Sequence, residues 1–196
     1  MTRRSSTASG AKGGRSGTRA PLAPYVSSLG IDGGLAEQLL ELRRVAARRL
    51  LEPRRGVVET LRALRDRGIK VGLITVCSED TVDVWPESPF AGLFDAEVFS
   101  CSVELRKPDP QIYRLACDKL GIEPADAIFV GDGANDELAG AERVGMRAVM
   151  IGDAVADWSG ARISAIPELL ELIERRVVQG DAVAPERAAG PEQDLA

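Results

Sequence analysis

The 196-residue sequence contains no histidine. This absence excludes a catalytic triad with an imidazole base, a histidine-ligated zinc site and a histidine phospho-relay. Asp, Glu, Lys, Ser, Thr and Cys are therefore the residue types left to carry any reaction. The hydrophobic content of 44% is enough for a globular domain with a core of its own.

Cysteines and long apolar runs are also scarce. The cysteines are Cys77, Cys101 and Cys117, and their odd number and apolar surroundings predict reduced, buried thiols rather than a disulfide framework. No apolar run reaches the roughly 18 residues that span a bilayer, and the N-terminus lacks the apolar middle of a secretory signal. We therefore expect a cytoplasmic protein with no membrane partner.

Acidic residues are missing from the first 31 positions, which carry five basic residues, so the net charge of -5 combines a +5 segment with a -10 remainder. The Gly- and Ser-rich composition predicts a disordered basic tail over 1–30, and 179–196 is predicted to be a second tail. A nucleic-acid-binding arm and an organellar transit peptide are alternatives for the first tail. Because the stretch SSTASGAKGGRSGTRAP lacks aromatic residues and a helical face, we expect no nucleic-acid partner.

Helical and strand-like patterns alternate between the two tails. Leucines at helical spacing predict an amphipathic helix over 34–51, which Pro53 ends. The alternation predicts an α/β fold with a Rossmann-like parallel sheet and helices on both faces. Strands are predicted at 69–75, 96–100, 127–130 and 147–151, and further helices at 58–67, 109–120, 136–144 and 167–177.

Three polar residues are predicted to lie at one edge of the sheet, each after a predicted strand. They are Thr75, Lys107 and Asp132. Ligands of parallel sheets bind at this edge, where helix N-termini and free backbone donors converge. Thr75 and the amide of Val76 would hydrogen-bond phosphate oxygens, and Lys107 would offset negative charge. The chain has 21 Arg but only 4 Lys, which suggests that an ammonium is specifically required at position 107.

The segment around Asp132 has the composition of a cation site. Asp132 would coordinate Mg²⁺ directly or through water, and Asp136 or Glu137 would orient that water or brace the loop. Gly131 and Gly133 would let a phosphate or a hydrated metal approach the backbone closely. Each motif alone is typical of an ordinary turn, but their order along the chain predicts a combined phosphate and magnesium site.

With these motifs the sequence resembles the haloacid dehalogenase superfamily over about residues 34–176. The matching segments are VGLIT with Thr75, LRKPDP with Lys107, and VGDGAND with Asp132 and either Asp136 or Glu137. The resemblance implies magnesium-dependent hydrolysis of a phosphoric monoester through an aspartyl-phosphate, with a small phosphorylated metabolite as substrate. It also implies that 31–52 is the remnant of a small helical cap and 53–178 the α/β core.

The first motif of that family, an apolar strand ending in Asp-x-Asp, has no match in the sequence. Asp32, in SLGIDGG, is predicted to lie in a turn before a helix. We expect a hydrolase that is incomplete or inactive as written, with the central strand missing between those ending at Thr75 and Asp132.

Three hypotheses stay open. In the first, the true start of the hydrolase lies upstream. In the second, the chain is a catalytically silent module that binds a partner or forms a homodimer. In the third, it belongs to another phosphate-related α/β class. Phospho-receiver domains need their acidic positions before the Thr, and dinucleotide folds need Gly-x-Gly-x-x-Gly, which is absent.

Overall fold

The structure is a computed structural model, and it describes Val26, residues 28–155 and residues 157–178. The predicted tail over 179–196, and all but Val26 and 28–30 of the predicted tail over 1–30, lie outside the described residues. No helix in these described ranges is long and apolar enough to cross a membrane.

Helices and strands alternate along the described chain. The helices are α1 (Gly33–Leu50), α2 (Val57–Asp66), α3 (Glu79–Val84), α4 (Ser100–Val103), α5 (Pro110–Leu120), α6 (Glu137–Arg143) and α7 (Glu168–Val178). The strands are β1 (Gly72–Thr75), β2 (Ala96–Phe99), β3 (Ile128–Gly131), β4 (Arg147–Ile151) and β5 (Ala161–Ile163). Short 3-10 turns at Trp85–Glu87, Pro124–Asp126 and Ala134–Asp136 join some of them.

Helix α1 begins at Asp32, whose side chain caps the first turn. Its Oδ1 accepts hydrogen bonds from the amides of Gly34 at 3.0 Å and Leu35 at 3.3 Å. A carboxylate in this position satisfies amides that have no partner within the helix. The prediction that Asp32 precedes a helix is therefore confirmed.

The strands form a parallel sheet in two parts. One part pairs β1 with β2, with Thr75 opposite Phe99, and the other has the order β3-β4-β5, with Gly131 opposite Met150. Among the described residues no strand joins β1 to β3. The predicted α/β fold with parallel strands is confirmed, and the division lies where the sequence predicts that a strand is missing.

Two apolar clusters, one on each face, connect the two parts of the sheet. The first contains Val98 of β2, Tyr113 of α5 and Phe129 of β3, and the second contains Val71 before β1, Val149 of β4 and residues of α2 and α7. Each cluster therefore packs against both parts. Burial of apolar side chains, rather than strand pairing, holds β1 and β3 in one core.

The predicted elements differ from the observed ones mainly where segments are short. Helices α3 and α4 and strand β5 were not predicted, because six, four and three residues are too few to show a period. The strand predicted over 69–75 begins only at Gly72. The backbone of Val71 is engaged by Asp95 instead, since the Val71 amide donates to Asp95 Oδ2 at 2.7 Å and the Val71 carbonyl accepts from the Asp95 amide.

Candidate functional site

The residues that carry the third and fourth sequence motifs come together at the end of β3. Lys107 lies in the connection between α4 and α5, and Glu137 is the first residue of α6. Between β3 and α6 lies a segment that we call the β3 loop, residues 132–136. Helix α5 packs against β1, β2 and α6, which positions the preceding Lys107 segment next to the β3 loop.

A buried ion pair joins Lys107 to Glu137. The Lys107 Nζ lies 2.5 Å from Glu137 Oε2, and the two side chains are only 17% and 5% exposed. The same Nζ lies 5.5 Å from the centre of the Phe129 ring, close enough for a cation–π attraction. Removing either partner would leave an unpaired buried charge, so each charge fixes the position of the other.

Glu137 also holds the β3 loop. Its Oε1 accepts a hydrogen bond from the Gly133 amide at 3.2 Å, while its backbone carbonyl accepts one from the Tyr113 hydroxyl at 2.8 Å. Burial, together with the nearby charge of Glu137, raises the pKa of Tyr113 to about 12, so the hydroxyl stays a donor. One acidic residue thus links the Lys107 segment, the β3 loop and α5.

Gly131 leaves room for this carboxylate. A Cβ atom at position 131 would lie 2.7 Å from Glu137 Cδ and 2.8 Å from Phe129 Cε1, both too close for a real side chain. At Gly131 the side chain of Glu137 occupies the space that was predicted for a phosphate or a metal. Gly133 is needed for another reason, because its φ of +87° is strained for any residue with a Cβ.

The two aspartates of the β3 loop remain exposed. Asp132 Oδ1 accepts a hydrogen bond from the Ala134 amide at 2.9 Å, and Asp136 has a φ of +58°, an uncommon conformation for a residue with a side chain. Magnesium binds proteins through one or two carboxylates and keeps several waters. Asp132 and Asp136 fit that description, whereas both oxygens of Glu137 already have partners.

No group of three or more metal-ligating side chains occurs within the described ranges. Magnesium ligation by Asp132, Asp136 or Glu137 therefore stays a prediction. The geometry favours Glu137 in its alternative role, bracing the loop.

The second sequence motif lies on the other part of the sheet. Thr75 is half-buried at the end of β1, and it is followed by a segment that we call the β1 loop, residues 76–78, in which Val76 is 48% exposed. The Cys77 amide donates to Ser100 Oγ at 3.0 Å, which attaches this loop to α4. In the described part of the chain no hydrogen bond or ion pair connects Thr75 with Lys107 or Asp132. Lys107 and the β3 loop are therefore connected directly through Glu137. Thr75 is connected to them only through the apolar core that both parts of the sheet share.

Comparison with known proteins decides the family. A family model for haloacid dehalogenase-like hydrolases matches residues 12–145, more than half of the chain. The chain belongs to this family. The resemblance stated from the three motifs is confirmed.

Two similar proteins carry names that refer to phosphate compounds. The chain is 36% identical over 104 residues to a glyceraldehyde 3-phosphate phosphatase of Methanopyrus kandleri, covering 52% of this chain and 44% of that protein. It is 40% identical over 85 residues to the pyrophosphatase PpaX of Bacillus velezensis, covering 43% of this chain and 39% of the relative. The chain therefore spans less than half the length of these two relatives.

Solved structures show the same fold. A haloacid dehalogenase-family phosphatase from Thermococcus onnurineus superposes with a TM-score of 0.57 at 23% identity, covering 76% of this chain and 84% of the other. An L-2-haloacid dehalogenase superposes with a TM-score of 0.59 at 25% identity, covering 78% and 69%. The haloacid dehalogenase fold is therefore shown for the described core.

Two further residues of this haloacid dehalogenase-like site were not predicted. Tyr113 lies on the buried face of α5 with Ile112. A Cβ on Gly140 would lie 2.6 Å from the Tyr113 hydroxyl and 2.9 Å from Pro108 Cβ. The sequence signal that could have indicated this contact is Gly140 itself, because a glycine inside a helical pattern often marks the close approach of another segment.

Proposed function

We propose that the chain supplies the phosphate- and magnesium-binding residues of a phosphatase site for a small phosphorylated metabolite. The observation that carries this proposal is the buried Lys107–Glu137 pair, which holds a positive charge beside the exposed carboxylate loop of Asp132. The two named relatives support the substrate class, since both names refer to phosphate compounds.

Each residue has a separate part in this proposal. The Lys107 ammonium has donors left after its bond to Glu137, and it would attract phosphoryl oxygens. Thr75 and the Val76 amide would donate hydrogen bonds to the same group from the other part of the sheet. Asp132, with Asp136, would hold Mg²⁺, which when bound offsets negative charge on the phosphoryl oxygens.

Turnover requires a nucleophile that these residues do not provide. The resemblance assigns that role to an aspartate in an Asp-x-Asp motif, and the 196-residue sequence contains no Asp-x-Asp. We infer that this sequence by itself binds a phosphate ester and Mg²⁺ without hydrolysing the ester.

Titration calorimetry with MgCl₂ tests the binding half of the proposal. Asp132→Asn should weaken magnesium binding by on the order of tenfold, because it removes a charged oxygen ligand. Asp126→Asn is the matched control: it makes the same charge change at an exposed residue before β3, at the other end of that strand. Equal loss of affinity in both variants would contradict a site at Asp132.

Hydrolysis of p-nitrophenyl phosphate tests the other half. We expect no magnesium-dependent release of p-nitrophenol by the 196-residue chain. Clear turnover that Asp132→Asn abolishes would mean that a nucleophile is present in this sequence.

A second candidate function is homodimerisation through α1. This helix leaves several large apolar side chains in water, including Leu35 at 50%, Leu42 at 65% and Leu50 at 84% exposure. An exposed apolar face of this kind is typical of interaction surfaces. Light scattering would show a mass of twice 20.9 kDa for the dimer, and Leu42→Lys should return the chain to the monomer mass.

A further inference from the structure

Two of the cysteines are neighbours at the carboxyl end of β1 and β2. Cys77 Sγ and Cys101 Sγ lie 3.6 Å apart, and neither takes part in a disulfide. All three cysteines are free, in agreement with the prediction of reduced thiols, but only Cys117 is buried as predicted, being 1% exposed. Cys77 and Cys101 are both only partly buried, so small molecules in solution can reach them.

The register of the sheet explains this contact. Thr75 of β1 pairs with Phe99 of β2, and the two cysteines are each two residues further along. The pairing ends at Thr75 and Phe99, so it brings the β1 loop and the first turn of α4 side by side. The Sγ–Sγ distance of 3.6 Å shows that the two side chains meet there.

Ser100 holds the two segments at this spacing. Its Oγ accepts a hydrogen bond from the Cys77 amide at 3.0 Å and donates one to the Cys77 carbonyl at 3.4 Å. Both backbone groups of Cys77 are thus tied to the residue directly before Cys101. The sulfurs can close the remaining gap by side-chain rotation together with a small shift of the β1 loop about this anchor.

We propose that Cys77 and Cys101 form a reversible intramolecular disulfide when the chain meets an oxidised low-molecular-weight disulfide such as oxidised glutathione. Cys101 Sγ loses its proton and attacks one glutathione sulfur, which releases one glutathione thiol. Cys77 Sγ then loses its proton and attacks Cys101 Sγ, which releases the second glutathione. Two thiols of the protein lose two electrons, and oxidised glutathione gains them.

The order of the two attacks follows from the surroundings of Cys77. Burial, followed by the hydrogen bond and the charge of Cys101, raises the pKa of Cys77 to about 12. A thiol that keeps its proton is a poor first nucleophile, so Cys77 acts second, against a sulfur already in contact.

The disulfide would join the β1 loop covalently to α4. Val76, directly before Cys77, is one of the predicted phosphate donors, so oxidation would hold that donor in a changed position. This consequence depends on the proposed function, whereas the disulfide itself does not.

Thiol counting on the full chain tests the disulfide. After incubation with oxidised glutathione and unfolding in denaturant, Ellman's reagent should find one free thiol instead of the three present before. The protein mass should fall by two hydrogens with no glutathione attached. Cleavage after glutamate, at Glu79 and Glu97, places the two cysteines on different peptides, which should be recovered cross-linked.

Three variants complete the test. Cys117→Ser should still lose both of its remaining thiols, while Cys77→Ser and Cys101→Ser should form no internal disulfide. Wild-type protein that keeps three thiols, or that only takes up glutathione, would overturn the proposal. The thiol count of the wild-type protein tests the proposal by itself, so the test remains valid even if one of the variants does not fold.

Calorimetry with inorganic phosphate separates this inference from the proposed function. Weaker binding by the oxidised wild type than by the reduced wild type, with no such change in Cys101→Ser, is the expected result. Phosphate binding by neither form would contradict the proposed function and leave the disulfide intact. Equal binding by both forms would contradict the effect on the β1 loop.

Discussion

The β3 loop and the β1 loop each follow a strand of the parallel sheet, but different interactions hold them. The β3 loop is attached by a buried carboxylate, Glu137, which accepts from the Gly133 amide and pairs with Lys107. The β1 loop is attached by a neutral hydroxyl, Ser100, and lies against a pair of thiols. One attachment depends on charge in a low-dielectric interior, and the other on a hydrogen bond that is partly open to solvent.

This difference assigns the two loops different roles. Breaking a buried ion pair is costly because the remaining charge cannot recover its hydration, whereas losing one neutral hydrogen bond costs about 1 kcal/mol. The β3 loop should therefore keep one geometry under most conditions. The β1 loop can change its attachment, by oxidation of its thiols, at a much smaller cost.

The largest effect should come from Glu137→Gln. The substitution keeps the shape of the side chain but leaves the Lys107 ammonium, at 17% exposure, without a negatively charged partner. We expect a loss of about 3 kcal/mol in the free energy of unfolding, measured by urea denaturation. In this variant, hydrogen exchange of the Gly133 amide should accelerate more than hydrogen exchange of the Cys77 amide.

The exposed pair Glu171–Arg175 provides the control. These side chains are 71% and 70% exposed and lie 3.2 Å apart on α7. Glu171→Gln makes the same change in water, where it should cost less than about 0.5 kcal/mol. Similar costs for the two variants would show that burial adds nothing to the Lys107–Glu137 pair.

Gly140→Ala should give the second-largest effect. Alanine normally stabilises a helix relative to glycine, but the new methyl group would lie 2.6 Å from the Tyr113 hydroxyl and 3.1 Å from the Pro108 carbonyl oxygen. We expect a net loss of about 2 kcal/mol from overpacking, and a shift of the Lys107 segment. Gly33→Ala, where nothing lies within 4 Å, should be neutral or stabilising, and an equal gain in both variants would contradict the close approach.

The sequence predicted the elements that show a repeated pattern and the residues that end them. Thr75 and Asp132 directly follow apolar strand segments, so their places at the ends of β1 and β3 were predictable. The partner of Lys107 was not, because Glu137 is 30 positions away and only the packing of α5 on α6 brings the two together. The contact of Cys77 with Cys101 needed the register of β1 on β2, which local patterns do not contain.

Ser100→Ala tests the weaker attachment. Loss of the hydroxyl leaves the Cys77 amide without its acceptor, and we expect a cost of about 1 kcal/mol in urea denaturation. Exchange at the Cys77 amide should accelerate while exchange at Gly133 stays unchanged, the opposite of the Glu137→Gln pattern. Ser102→Ala, at an exposed neighbour on α4, is the control and should change neither rate.

Acid should weaken the attachment of the helix that follows the β1 loop. Asp80 of α3 pairs with Arg43 of α1 and accepts a hydrogen bond from Ser78 Oγ at 3.0 Å. Partial burial raises the pKa of Asp80, but the bonds from Arg43 and Ser78 outweigh it and hold this pKa below 3.8. Because the pKa is lowered in the folded state, the stabilisation is complete above 3.8 and is lost as the pH falls through the lower, folded value.

Asp80→Asn should therefore cost about 1 kcal/mol at pH 7, a modest amount because the Arg43 side chain is 36% exposed. The difference between wild type and variant should disappear as the pH falls below 3.8, as measured by urea denaturation at a series of pH values. At neutral pH, Glu137→Gln should lower the free energy of unfolding by about three times as much as Asp80→Asn does. A difference for Asp80→Asn that persists undiminished in strong acid would mean that the carboxylate contributes through packing and not through its charge.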